Sequence, residues 1–221
     1  MNRFSSAPYH SMVAFFIILL SGCVYTEVAR EGLSIVKAPS HKMLVCSLSP
    51  VTEHAVRFET LMIERLAKHK VETSICTQWM TLHSSLSDEE RIFKLKEEGF
   101  DSILVIQREA LPLTKNADPK AARPQPFYTV EEFMNAYDHR HEVEERRADS
   151  SAEKVERLPI FPKQRSISGH VKLIGIPEDE VLWSVTGAVL GSSSKPLKDF
   201  VEAAVVQIEK QLTVAGLIPP S

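Results

Sequence analysis

Asp101-Ser102-Ile103-Leu104-Val105-Ile106 constrains this chain more than any other stretch. Successive side chains of a strand point to opposite faces, so four consecutive aliphatic residues need cover on both. A strand of that kind belongs inside a sheet that has helices on either side. The residues just before it supply one such helix. Ser87-Asp88-Glu89-Glu90 is a capping box, in which the Ser87 hydroxyl bonds the amide of Glu90 and Glu90 bonds back. The helix it opens carries Ile92 and Leu95 inward and stops at Gly99, a C′ glycine.

Upstream the same alternation of elements is legible. Met43-Leu44-Val45-Cys46-Ser47-Leu48, bounded by Ser49-Pro50, reads as a buried strand. Val51, Ala55, Phe58, Met62 and Leu66 recur at spacings of three and four and form one face of a helix to about Lys68. The β-branched run Val71 to Thr77 reads as a second strand. Short connections between these elements imply parallel neighbours joined by right-handed crossovers.

The pattern breaks after Arg108. Residues 111–164 hold six of the thirteen prolines and the charge-dense run His139 to Arg147. Thr129-Val130-Glu131-Glu132 caps a short helix through Tyr137. A segment this polar buries little surface, so it reads as an insertion that projects from the domain or is partly disordered. From Ser166, residues Ile167, Gly169, Val171 and Leu173 alternate with polar ones. Val181, Trp183 and Val185 alternate next, after the turn residues Pro177-Glu178-Asp179. Together they predict an antiparallel hairpin with one wetter face. A last helix follows from about Pro196, with Val201, Val205, Ile208 and Leu212 inward and Gly216 at its end. The expected fold is α/β, a two-layer or three-layer sandwich. Its mixed sheet has about five strands in the order β-α-β-α-β-(insertion)-β-β-α. The domain is expected to cover residues 42–217, with 218–221 a tail.

Motifs that carry chemistry are sparse. There is no Gly-x-Ser-x-Gly elbow, no Cys-x-x-Cys and no His-Glu-x-x-His, so an enzyme is not the expectation. His139 and His141 with Glu142 or Glu144 have metal-ligand chemistry, but the run reads as a solvated loop and no metal is expected. Gly191-Ser192-Ser193-Ser194-Lys195 reads as an ordinary helix cap rather than an anion site. Cys46 and Cys76 fall on the first two predicted strands. Facing residues on neighbouring strands seldom meet the dihedral a disulfide needs, so the two are expected to be small buried hydrophobes. Trp183, Phe200 and Phe58 lie on apolar stripes and read as core. Phe127, Tyr128, Phe133 and Tyr137 lie in the polar insertion and are the candidate contact surface for a protein partner.

The amino-terminal stretch determines location. Arg3 and His10 precede the apolar run Met12 to Leu20, and Leu20-Ser21-Gly22-Cys23 follows without a break. Nine apolar residues are too few for a spanning helix, which needs roughly 20. A polar start, an apolar middle and small residues before a cut make a secretory signal. The ending resembles the lipobox of bacterial lipoproteins. That resemblance implies cleavage between Gly22 and Cys23 and covalent lipid on Cys23, with no other cofactor. Because Val24 is not Asp, it also implies an outer-membrane address facing the periplasm. The stretch 23–41 has little periodicity, ends near Lys37-Ala38-Pro39-Ser40 and reads as a tether between lipid and domain. Removing a leader that carries Arg3 and no acid changes the formal charge from −3 to −4, so nucleic acid is excluded as a partner class.

Leu95-Lys96-Glu97-Glu98-Gly99-Phe100-Asp101 running into Ser102-Ile103-Leu104-Val105 is similar to a recurrent element of envelope lipoproteins. With the Trp183 strand and the closing helix, it resembles small α/β periplasmic lipoprotein domains. These include the curli-secretion lipoprotein, the activators of penicillin-binding proteins and the TolB amino-terminal domain. A pore of the curli type is excluded, since residues 139–157 are too charged for membrane hairpins. The expected function is a lipid-anchored docking or assembly factor for an envelope complex. A small-ligand binder or enzyme with a pocket near Ser49 and Arg108 is the rival, and a structural spacer the third reading.

Overall fold

The computed structural model describes residues 25–29, 39–49, 52–108, 128–138, 164–192 and 196–220. Residues 1–24, which include the expected leader and Cys23, and also Phe127, His139 and His141 lie outside them. The strands are β1 (Tyr25–Ala29), β2 (Lys42–Ser47), β3 (Glu72–Ile75), β4 (Ser102–Arg108), β5 (Gln164–Gly175) and β6 (Glu180–Ser192). The helices are α1 (Thr52–Leu66, extended by a 3₁₀ turn, Ala67–His69), α2 (Cys76–Leu82), α3 (Asp88–Glu97), α4 (130–138) and α5 (Leu197–Val214). All six strands form one mixed sheet in the order β1-β6-β5-β4-β2-β3. β2 is parallel to β3 and β4, while β4-β5, β5-β6 and β6-β1 are antiparallel.

The α/β class holds, and the sandwich has three layers. One face carries α1 and α5, whose Phe58, Met62, Leu66, Val205, Ile208 and Leu212 pack on Met43, Val45, Leu104, Leu173 and Trp183. The other face carries α2, α3 and α4 over Leu44, Cys46, Ile103, Val105 and Ile174. The step from β2 to β3 moves one way across the sheet and the step from β3 to β4 moves back. Connections of one hand must then pass on opposite faces, which is why α1 and the α2–α3 pair are separated by the sheet.

Local signals account for several boundaries. Ser87 and Glu90 form the capping box in both directions. Gly99 and Gly216 have φ of +78° and +70°, the left-handed conformation that ends a helix on glycine. Between them and the sheet, Phe100 is buried and the Asp101 carboxylate accepts from the amides of His41 (2.6 Å) and Lys42 (3.1 Å). The Asp101 carbonyl accepts from Ile176, so this one residue joins the starts of β2 and β4 to the end of β5.

The structure differs from the sequence-based expectation in several places. A sixth strand, β1, occupies 25–29 within the supposed tether, and pairs with 186–190 of β6. Its partner is remote in sequence, so no local pattern announces it. Residues 40 and 41 are likewise fixed: the Ser40 amide donates to Leu217 O, and the Ser40 and Ser102 hydroxyls are bonded at 2.7 Å. Cys76 and Thr77 are not strand; β3 ends at Ile75 and α2 begins at once. The hairpin does not alternate evenly. A bulge sets Trp183 opposite Leu173 and Val181 opposite Ile174. Leu182 and Trp183 therefore both enter the α1–α5 core, while Val181 packs on the other side. At the carboxyl end, Ile218 is core rather than tail, and the His69 ring nitrogens lie 2.7 Å from Pro219 O and 3.1 Å from a Glu209 carboxylate oxygen.

The capping box gives a pH-dependent test. The Ser87 backbone amide, and secondarily its hydroxyl, hold the Glu90 carboxyl below its ordinary value. A carboxyl whose pKa is lower in the folded state stabilises the fold above its unfolded value, and that contribution is lost as pH falls through the folded one. Glu90→Ala should therefore lower the urea midpoint at pH 7, and the gap from wild type should close as the pH drops below the ordinary carboxylate range.

Candidate functional site

At the carboxyl ends of the parallel strands, the two halves of the sheet's β-α-β unit meet around Glu59. This residue sits on α1 beside Phe58 and is fully buried. Its Oε1 accepts from the Ser47 amide at 2.9 Å and its Oε2 from the Thr77 amide at 3.2 Å. Ser47 and Thr77 directly follow the two cysteines, and Cys46 and Cys76 are joined as a disulfide. The expectation of two separate buried thiols is thus corrected. It assumed facing positions on two strands. Cys76 instead opens α2 directly after Ile75, which pairs with Val45, so its Cα stands one strand spacing, 4.8 Å, from that of Cys46, inside the range a disulfide spans.

This cluster is a brace. A carboxylate that accepts two backbone amides and a covalent bridge one residue away both hold β2 against the start of α2. Ser49, the residue named for a rival ligand pocket, is also buried, and the neighbouring Leu48 amide donates to Ile106 O at 2.8 Å. Among the described residues there is no group of three His, Cys, Asp or Glu placed to hold a metal.

The four aromatics of the insertion separate. Phe133 and Tyr137 are buried, at 0% and 3% exposure, with Val130 and Met134 in the α2–α3 core. Both are removed from the candidate contact surface. Tyr128 is exposed at 59%, and Phe127 lies outside the described residues. The segment pins itself by its helix: Val130 N donates to Asp179 at 2.8 Å, and Arg91 donates to Asp138 at 2.8 Å. Thr129 caps α4 by accepting from the Glu132 amide. Tyr128 lies under the Lys172 ammonium, 4.8 Å from ring centroid to nitrogen. Burial there pulls Lys172 below the usual lysine range, against the opposing pull of Glu132. α4 thus covers the hairpin face that the sequence marked as the wetter one. The signal that locates α4 is the spacing Val130, Phe133, Met134, Tyr137, an apolar stripe at helical period.

β1 begins two positions after Cys23 and is hydrogen-bonded into the sheet. No helix among the described residues is long and apolar enough to cross a membrane.

No protein-family model matches the chain, and no curated protein matches it. Among solved structures it is similar to the PelC dodecamer from Paraburkholderia phytofirmans, at 12% identity and a TM-score of 0.45, over 89% of this chain and 100% of that one. It is also similar to lipoprotein GNA1162 from Neisseria meningitidis, at 11% identity and a TM-score of 0.40, over 78% of this chain and 98% of that one.

Two stability measurements test these assignments. Phe133→Ala should cost about 3–5 kcal/mol, the range for emptying a buried aromatic site; a surface anchor would leave the unfolding midpoint almost unchanged. Reducing the bridge, which spans 30 positions, should cost about 3–4 kcal/mol by loop-closure entropy, read as a lower urea midpoint in the presence of a thiol reductant.

Proposed function

We propose that this chain is a bacterial envelope lipoprotein whose folded domain acts as a docking or assembly factor at a membrane face. The observation that carries the reading is the run from Met12 into Leu20-Ser21-Gly22-Cys23. In this reading the leader is removed after Gly22 and the Cys23 thiol carries lipid. Each buried methylene contributes about 0.8 kcal/mol, so two or more acyl chains hold the protein firmly where one holds it only marginally.

The fold supports this in two respects. The Cys46–Cys76 bridge suits an oxidising compartment such as the periplasm. β1 is part of the sheet, so the chain passes from the anchor to folded structure within two residues. Val24 after the anchor favours the outer membrane by resemblance to bacterial lipoproteins. The partner is an envelope protein. Its contact surface includes the exposed Tyr128 and the polar segments around it, while Phe133 and Tyr137 hold α4 in place.

Cys23→Ser should release the protein from the membrane fraction and abolish incorporation of radiolabelled palmitate, with the fold intact by circular dichroism. Equal membrane recovery of the two forms and an unacylated wild-type mass would overturn the proposal.

A further inference from the structure

The β5–β6 ribbon runs past the end of its neighbour. β4 stops at Arg108, opposite Gly169, whereas β5 and β6 continue together to Gln164 and Ser192. β1 pairs along the outer side of this projecting end, with Tyr25 opposite Leu190 and Ala29 opposite Thr186. Its first residue is therefore at the corner of the sheet, on the outermost strand and beyond the carboxyl ends of β2 and β4. α5 packs beside the same corner against β1 and β6.

Cys23 is two positions before Tyr25. A chain covers at most about 3.3–3.6 Å per residue, so the anchor residue is within about 7 Å of this corner. The diagonally opposite corner is the start of β3, where Glu72 pairs with Lys42. Five strand spacings and about ten residues of strand separate the two corners, which is roughly 40 Å on a flat sheet. A link of about 7 Å keeps the first corner at the surface and leaves the second, at the far end of the sheet diagonal, with no tie to the anchor.

We infer that the corner formed by β1, the projecting end of β5–β6 and the start of α5 rests on the headgroup layer of the bilayer that holds the anchor. The occupant is a lipid surface. The edge strand β3 and the 176–179 turn point away from it. This inference rests on the reading that Cys23 carries lipid, and it adds which side of the domain faces the bilayer.

The test uses the full, lipidated chain in vesicles of phosphatidylethanolamine and phosphatidylglycerol doped with a nickel-chelating lipid. Lys198 on α5 is exposed, as is the Glu72 side chain at 68%. Nitroxides are attached one at a time at Lys198→Cys and Glu72→Cys, with the native disulfide left oxidised. Relaxation by headgroup nickel should be several-fold stronger at 198 than at 72. Equal or reversed relaxation in a sample whose intact mass shows acylated Cys23 would overturn the orientation and leave the anchor standing. An unacylated mass would overturn both. Broadening at 198 by the label of a second molecule, without relaxation by nickel, would make the corner a self-interface and would also defeat the inference.

Discussion

Met43, Leu44, Val45 and Cys46 are all fully buried although neighbours along a strand point to opposite faces. The rest of the architecture follows from covering both sides of this one strand. Each of those side chains removed from water contributes roughly 1.5–3 kcal/mol, but only while a helix lies over it. α1 and α5 cover Met43 and Val45, and α2, α3 and α4 cover Leu44 and Cys46. β4 meets the same demand with Ile103, Leu104 and Val105. A chain with one layer of helices would expose half of these residues, so the amphipathic stripes of α1, α3 and α5 are requirements of the central strands.

Polar groups then fix the register that hydrophobic burial leaves loose. Asp101 ties three strands at the amino end of β2 and β4, and Glu59 ties β2 to α2 at the carboxyl end. Both act by accepting backbone amides. An unpaired buried amide costs about 1–3 kcal/mol, so Glu59, whose bond from the Ser47 amide is buried, matters more for what it satisfies than for any ion pair. The disulfide adds to the second of these clamps by restricting the unfolded chain, a different mechanism acting at the same place.

What could be read from the sequence was what is local. The Ser87–Glu90 box, the glycines at 99 and 216 and the aliphatic run of β4 each involve residues within a few positions of one another. What escaped depends on distant partners. β1 looks aperiodic because its structure comes from the edge of β6, not from its own five residues. Phe133 and Tyr137 were hidden by averaging: a segment rich in proline and charge contains one short apolar stripe, and that stripe finds a core. α2 was lost because seven residues are too few to show a helical period, and Thr73 and Ile75 before it favour strand. The bulge at Leu182 is invisible to a rule of strict alternation. The proposed anchor residue, Cys23, lies outside the described residues, so its reading comes from the sequence motif alone.

The pairing of β1 with β6 also orders events in time. Among the described strands, the earliest in the sequence joins residues about 160 positions later, and a contact that distant closes slowly. Until the last hairpin exists, that strand has no partner and the five-stranded remainder has a bare flank on β6, a row of amides and carbonyls ready for any other extended chain. A fragment cut after Ala29 for convenience would keep that flank open permanently. Clumping of such a fragment would then reflect the missing five residues and not a weakness of the fold.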